Sequence, residues 1–207
     1  MCLIEFNNNE LCLIDKALKL GCNCWSADFL SDIKEKMKSH LLKKQLENCC
    51  YCQKNLSGEF SMVIDIEHIL PKSKYPKFMF DLRNLAISCK RCNMKIKRNN
   101  IAFLNDVFFQ SENYFDTKGY DIVHPNLDVY DNHLKLYSFQ CGSVKLIKYI
   151  IVNNSRKGDF TYGYFKLKEL EVNTFNNAQG LSNESEIIDE VINEMFVKAT
   201  EKFNMNY

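Results

Sequence analysis

The chain lacks any run approaching the roughly 20 uninterrupted apolar residues of a membrane helix, although 46% of its 207 residues are hydrophobic. Residues 1–10 also lack a basic flank leading into a long apolar stretch, so no secretory leader is read there. These two absences argue against a membrane-spanning or exported protein, and the expected location is the cytoplasm. Internal repeats and low-complexity tracts are missing too, which argues against a solenoid or a biased linker. A net charge of +1 is close to balance, and taken whole it points neither toward nor away from a nucleic-acid partner.

Cysteine is abundant, with ten residues. In a chain with no outward signal such thiols stay reduced, and metal binding becomes a better reading than a disulfide scaffold. Two Cys-x-x-Cys pairs stand out, Cys49 with Cys52 and Cys89 with Cys92. Each knuckle can fill two adjacent corners of a tetrahedron, and together they make a closed, all-thiolate structural zinc site with no position left for water. Cys50 could replace Cys49 only through a tighter Cys-x-Cys chelate, so Cys49 is taken as the ligand. The competing reading is a redox pair or a chance arrangement of thiols. Cys2, Cys12, Cys22, Cys24, Cys50 and Cys141 show no matching pair and are read as free thiols. A closed zinc site would explain how a unit spanning residues 49–98 holds its shape around a small core.

Charge is unevenly spread. From 71 to 98 there are nine basic residues and one acid, Asp81, a local charge of +8 that leaves −7 for the remainder. A solvated face is the ordinary account of such a run. Its place inside the cysteine-bounded segment favours a phosphate track instead, with Lys72, Lys74, Arg91, Lys95, Lys97 and Arg98 as nucleic-acid contacts.

Hydrophobic periodicity gives an α+β organisation in three parts. Residues 1–48 form a helical lead-in, with one helical pattern over 10–20 and a second in which Phe29, Ile33, Met37 and Leu41 recur every four residues after Ser26 as N-cap. Residues 49–104 form the central module. There Met62, Ile64 and Ile66 alternate with polar neighbours as a strand ending at His68, Pro71 stops the pairing, 85–88 is the returning strand, and 92–104 continues as a helix. Residues 105–207 form a C-terminal α/β extension. It contains a hairpin of 133–140 with 144–152, a flexible connection at 153–159, and a terminal helix opened by a capping box at Asn183 and Glu186.

Between and beside the knuckles lie Ile66-Glu67-His68-Ile69-Leu70-Pro71, Arg83-Asn84-Leu85 and Cys89-Lys90-Arg91-Cys92-Asn93. These residues resemble the HNH, or ββα-metal, endonuclease motif over about a quarter of the chain. The resemblance implies a DNA endonuclease that leaves 5′-phosphate and 3′-hydroxyl ends. Glu67 and Asn93 would bind one catalytic divalent ion, His68 would be the general base, and Asn84 would brace the loop and orient the imidazole. The acidic position is more often Asp in this family, and the last ligand is often His. A carboxylate with a neutral amide suits hard Mg2+ or Mn2+ better than a catalytic zinc. Asp65 shares a strand face with Glu67 and is read as a hydrogen-bond partner of the ligands. The family's usual basic residue three places after the final ligand is Ile96 here, flanked by Lys95 and Lys97, which shifts the expected phosphate contact.

The alternative is a non-catalytic zinc module that holds nucleic acid or a protein partner; a pure binder has no chemical use for the joint set Glu67, His68, Asn84 and Asn93. His124, Asp128, Asp131 and His133 form a second polar cluster, read as a structural turn in preference to a metal site. The length, the position of the motif and residues 122–128 are similar to HNH subunits of anti-phage systems of the Septu and retron kind. That resemblance implies a companion ATPase and phage or host nucleic acid, DNA with RNA still open.

Overall fold

The structure is a computed structural model that describes residues 4–141 and 144–173. The lead-in folds as expected in kind, with different boundaries. Helix α1, Asn8–Leu20, opens on a capping box in which Asn7 accepts from the Glu10 amide and the Glu10 carboxylate accepts from the Asn7 amide, and it stops at Gly21, whose φ of 84° favours glycine. Helix α2, Ser31–Lys44, buries Ile33, Met37 and Leu41 as the four-residue spacing requires. Ser26 does not cap it. Two 3₁₀ turns, Cys22–Ser26 and Asp28–Leu30, intervene, and no side chain caps the helix at Leu30.

Strand β1, Ile64–His68, pairs antiparallel with β2, Leu85–Cys89, with Ile66 opposite Ile87 and His68 opposite Leu85. Met62 lies before the strand, in a 3₁₀ turn, and is 84% exposed. The ladder starts only at Ile64 because that residue faces Cys89, where the partner strand turns into the second knuckle. The outer edge of β2 is closed by the Gln45 side chain, which donates to the Ile87 carbonyl at 2.9 Å and accepts from the Ile87 amide at 2.6 Å. The amide group thus stands where a third strand would pair.

The helix expected over 92–104 is a π-helix, Arg91–Lys97. The Arg98 amide reaches back five residues to the Asn93 carbonyl at 2.7 Å, and Arg98 leaves the helix at φ 52°. Beyond it, α3, Asp106–Gln110, is capped by Asn105. The connection expected to be flexible at 153–159 is instead the start of α4, Arg156–Tyr164, where Ser155 accepts from the Gly158 amide at 3.1 Å.

The described residues divide into two compact units, 4–135 with 151–167, and 136–141 and 144–150 with 168–173. The first holds the lead-in, the cysteine-bounded module, α3 and α4 around one core that includes Tyr51, Leu70, Met79, Ile87, Phe103 and Phe165. The second is built on the expected hairpin, β3 (Leu134–Cys141) and β4 (Val144–Ile151), joined by β5 (Val172–Asn173), which pairs antiparallel with β4. The terminal helix expected from Asn183 lies outside the described residues. No helix among the described residues is long and apolar enough to cross a membrane.

Candidate active site

The two knuckles converge. The sulfurs of Cys49, Cys52, Cys89 and Cys92 lie within 4.8 Å of one another, with Cys52 to Cys89 at 3.9 Å. Tetrahedral zinc with bonds of about 2.3 Å separates its sulfurs by about 3.8 Å, so the pocket needs little contraction to hold the ion. Cys50 is outside the cluster, its amide bonded to the Ile87 carbonyl. The charge argues the same way. Contact with Cys49 and then Cys89 pushes the Cys52 thiol up, and contact with Cys49 first of all raises Cys92. Four clustered sulfurs cannot all be thiolates without a cation among them.

The four-cysteine cluster ends β2 and opens the π-helix, and thereby sets Asn93 against β1. The Asn93 amide donates to Asp65 Oδ2 at 3.1 Å while Lys90 pairs with Asp65 Oδ1 at 2.8 Å. Asp65 therefore holds Asn93 in place by a hydrogen bond. Because Asn93 spends its nitrogen on Asp65, its oxygen is left for another partner. Asp65, Glu67, His68 and Asn93 line one cleft of about 860 Å³ together with Trp25, Lys38, Lys72, Lys90 and Arg98.

Glu67 is 2% exposed. Its Oε1 pairs with Lys97 Nζ at 2.6 Å and accepts from Tyr51 at 3.0 Å. Burial pushes the carboxyl above its ordinary value, and Lys97 and Tyr51 pull it back. The basic run in the sequence puts Lys97 on an exposed phosphate track. The structure corrects this: Lys97 is 1% exposed and donates also to the His68 carbonyl at 2.8 Å. The π-helix is the physical reason. Each residue of the wider turn advances through a smaller angle than the roughly 100° of an α-helix, so the fourth residue after Asn93 falls near the direction the third would otherwise take. Lys97 thus points inward near the position that Ile96 holds in the sequence register.

His68 Nε2 lies 3.1 Å from the Met79 carbonyl, which can only accept, so Nε2 carries the hydrogen and Nδ1 keeps its lone pair. Burial, then the nearby Lys72, lowers the ring to about 3, and it is neutral near neutral pH. Trp25 packs its edge against the ring at 4.5 Å. Asn84, fully buried, accepts from the Leu70 amide at 2.7 Å and donates to the carbonyls of Leu70 and Phe78, each at 3.1 Å. It ties the loop that delivers Met79, and acts on the imidazole through that loop rather than by contact.

Of the other expected phosphate contacts, Lys74, Lys95 and Arg98 are exposed and Lys72 is half-buried. Arg91 is committed elsewhere, donating to the carbonyls of Phe165 and Lys166 at 2.9 and 2.8 Å. The second polar cluster is a braced turn. Asp128 accepts from the His124 amide at 2.7 Å and pairs with Lys157 at 2.7 Å, and His133 Nδ1 meets Ser155 Oγ at 2.7 Å. Among the described residues, the four cysteines are the one group of three or more His, Cys, Asp or Glu side chains that could hold a metal. Sequence reasoning misses Trp25, Tyr51 and the inward Lys97. That Trp25 is the single tryptophan is the only available signal.

This unit is also where known proteins match. Residues 49–99 match the family described as HNH endonuclease. Over 132 residues, 64% of this chain, it is 30% identical to Septu protein PtuB of Bacillus thuringiensis. The chain spans 42% of that relative's length. No solved structure matches the chain.

Proposed function

We propose that the protein is a divalent-metal endonuclease that hydrolyses phosphodiester bonds of DNA, and that it acts as the nuclease of an anti-phage system beside a companion ATPase. One observation carries the chemistry: a neutral His68 with a free Nδ1 lone pair lines the same cleft as Glu67, Asn93 and the basic side chains Lys38, Lys72 and Arg98. The oxygens of Glu67 and Asn93 fit a hard cation such as Mg2+ or Mn2+. When bound, such an ion stabilises charge on the leaving oxygen.

His68 Nδ1 takes a proton from the attacking water, whose oxygen forms the new bond to phosphorus as the P–O3′ bond breaks. The leaving oxygen is protonated to a 3′-hydroxyl, and the phosphate stays on the 5′ end. Asn84 keeps the imidazole turned by holding the loop through Phe78 beside Met79. Lys72 and Arg98 at the cleft, with Lys74 and Lys95 exposed nearby in sequence, hold the backbone phosphates. The likeness to a Septu protein supports the defence role.

A second reading, a zinc module that binds without cutting, draws on the Glu67–Lys97 pair, which already satisfies the acidic ligand. Incubating the protein with supercoiled plasmid, linear duplex, single strands and RNA in Mg2+, Mn2+ or EDTA decides between the two. Cleavage of DNA in either metal and none in EDTA is expected. Binding with no cleavage under any of these conditions would establish the second reading.

A further inference from the structure

Of the three carboxylates that line the cleft, Glu35, Asp65 and Glu67, the two on β1 already have a cation. Asp65 pairs with Lys90 at 2.8 Å and Glu67 with Lys97 at 2.6 Å, while Lys38, Lys72 and Arg98 line the same cleft with no carboxylate bonded to them among the described residues. Glu67 and Lys97 are 2% and 1% exposed, so water screens this pair little. A divalent ion arriving alone would therefore enter a positively charged cleft and face the Lys97 ammonium across one carboxylate. A phosphodiester arriving with it supplies both negative charge and ligand oxygens.

We infer that Lys97 is the resident counter-ion of Glu67 and that it makes the catalytic divalent ion bind tightly only together with a nucleic-acid phosphate. This rests on the nuclease reading above and adds to it an order of assembly. Metal and nucleic acid are linked ligands: each raises the other's affinity by the same factor. The metal-free protein keeps its acidic ligand in place and its cleft attractive to phosphate, and stray divalent ions do not charge the site before substrate arrives. Lys97 is a positioning residue in this scheme, acting through Glu67 and through the His68 carbonyl it also holds.

The test measures free Mn2+ by electron paramagnetic resonance during titration of zinc-loaded protein. The protein carries His68→Ala, so that a short DNA duplex survives. With saturating duplex, Mn2+ affinity is expected to rise about 10-fold or more. Lys97→Met in the same background should tighten Mn2+ binding to the DNA-free protein and shrink the effect of duplex, with zinc content unchanged by elemental analysis. Equal Mn2+ affinity with and without duplex overturns the inference and leaves the nuclease reading standing. No Mn2+ bound even with duplex overturns both. If Lys97→Met fails to fold, Lys97→Gln, which keeps a donor to Glu67 without the charge, takes its place in the same titration, and an unchanged Mn2+ affinity of the DNA-free protein overturns the inference.

Discussion

At Glu67 two opposing demands meet. A metal ligand must be ionised, yet burial favours the neutral carboxyl, and the structure answers with Lys97 at 2.6 Å and the Tyr51 hydroxyl at 3.0 Å on one oxygen. Removing one partner of such a pair leaves the other charge buried and alone. Lys97→Met should therefore destabilise the zinc-loaded protein, with no Mg2+ or Mn2+ added, by about 3–5 kcal/mol, measured by urea denaturation at neutral pH. A change below about 1 kcal/mol would mean that the carboxyl gives up its charge without cost. Residues whose placement depends on spacing within a few positions are legible in the sequence alone: the cysteine quartet that clusters, and Glu67, His68 and Asn93, which line one cleft. Lys97 is not, because its direction depends on the pitch of the turn that carries it, and Tyr51 is hidden between Cys50 and Cys52 as an apparent spacer.

The elements divide in the same way. Alternation marks β1, a short apolar run marks β2, and a four-residue stripe marks α2, because each pattern follows from which faces are buried. The start of α2 is misread at Ser26, since nothing local distinguishes a cap from a residue in a preceding 3₁₀ turn. The π-helix is unreadable because its sequence carries no wide-turn signature, and it joins two buried residues, Cys92 and Lys97. That join carries Cys92 of the four-cysteine cluster, the proposed zinc site. Cys92→Ser is expected to abolish zinc binding and, with it, the folded state of the module, since binding free energy is folding free energy here. Elemental analysis with circular dichroism reads both, and a folded, zinc-free variant would show that the scaffold does not need the metal. The loop between the strands carries two of the proposed phosphate contacts, so Lys72→Ala with Lys74→Ala should weaken DNA binding of all sequences alike and lower the salt slope by about 2. An unchanged slope in a salt titration would move the phosphate track elsewhere on the surface.

Across the whole molecule, the central module does not stand alone. Asn126 donates to the carbonyls of Arg83 and Leu85 at 3.0 and 2.9 Å, flanking Asn84, and Tyr130 donates to the Tyr51 carbonyl at 3.0 Å. Residues 122–130 thus buttress both ends of the site, which gives a structural use to the stretch that also resembles anti-phage nucleases. These contacts span 41 to 79 positions in sequence, and no local pattern could have announced them. His124 anchors the buttress, fully buried, with the Asn126 amide on Nδ1. Burial lowers its ring from 6.5 to about 3, with Asp128 opposing. The unfolded chain then takes up the proton first, so the stability of the neutral ring is complete above pH 6.5 and declines as pH falls toward 3. Its share is about 1.4 kcal/mol per pH unit within that window. His124→Gln should flatten the acid branch of a urea-denaturation profile by that amount, and an identical slope would place the acid lability in other groups.

At the centre of the molecule's proposed chemistry stands His68 as the base of a metal-dependent nuclease. Its ring takes no part in the zinc site, so its removal should separate chemistry from structure. The most direct measurement is plasmid cleavage by His68→Ala beside the unaltered protein in Mg2+ or Mn2+, with zinc content and DNA affinity determined on the same samples. A loss of about 10²–10⁴-fold in rate is predicted, with zinc and DNA binding retained and partial recovery on adding imidazole. Cleavage by His68→Ala at the normal rate would contradict the assignment of His68 as the base and, with it, the HNH mechanism proposed for this cleft.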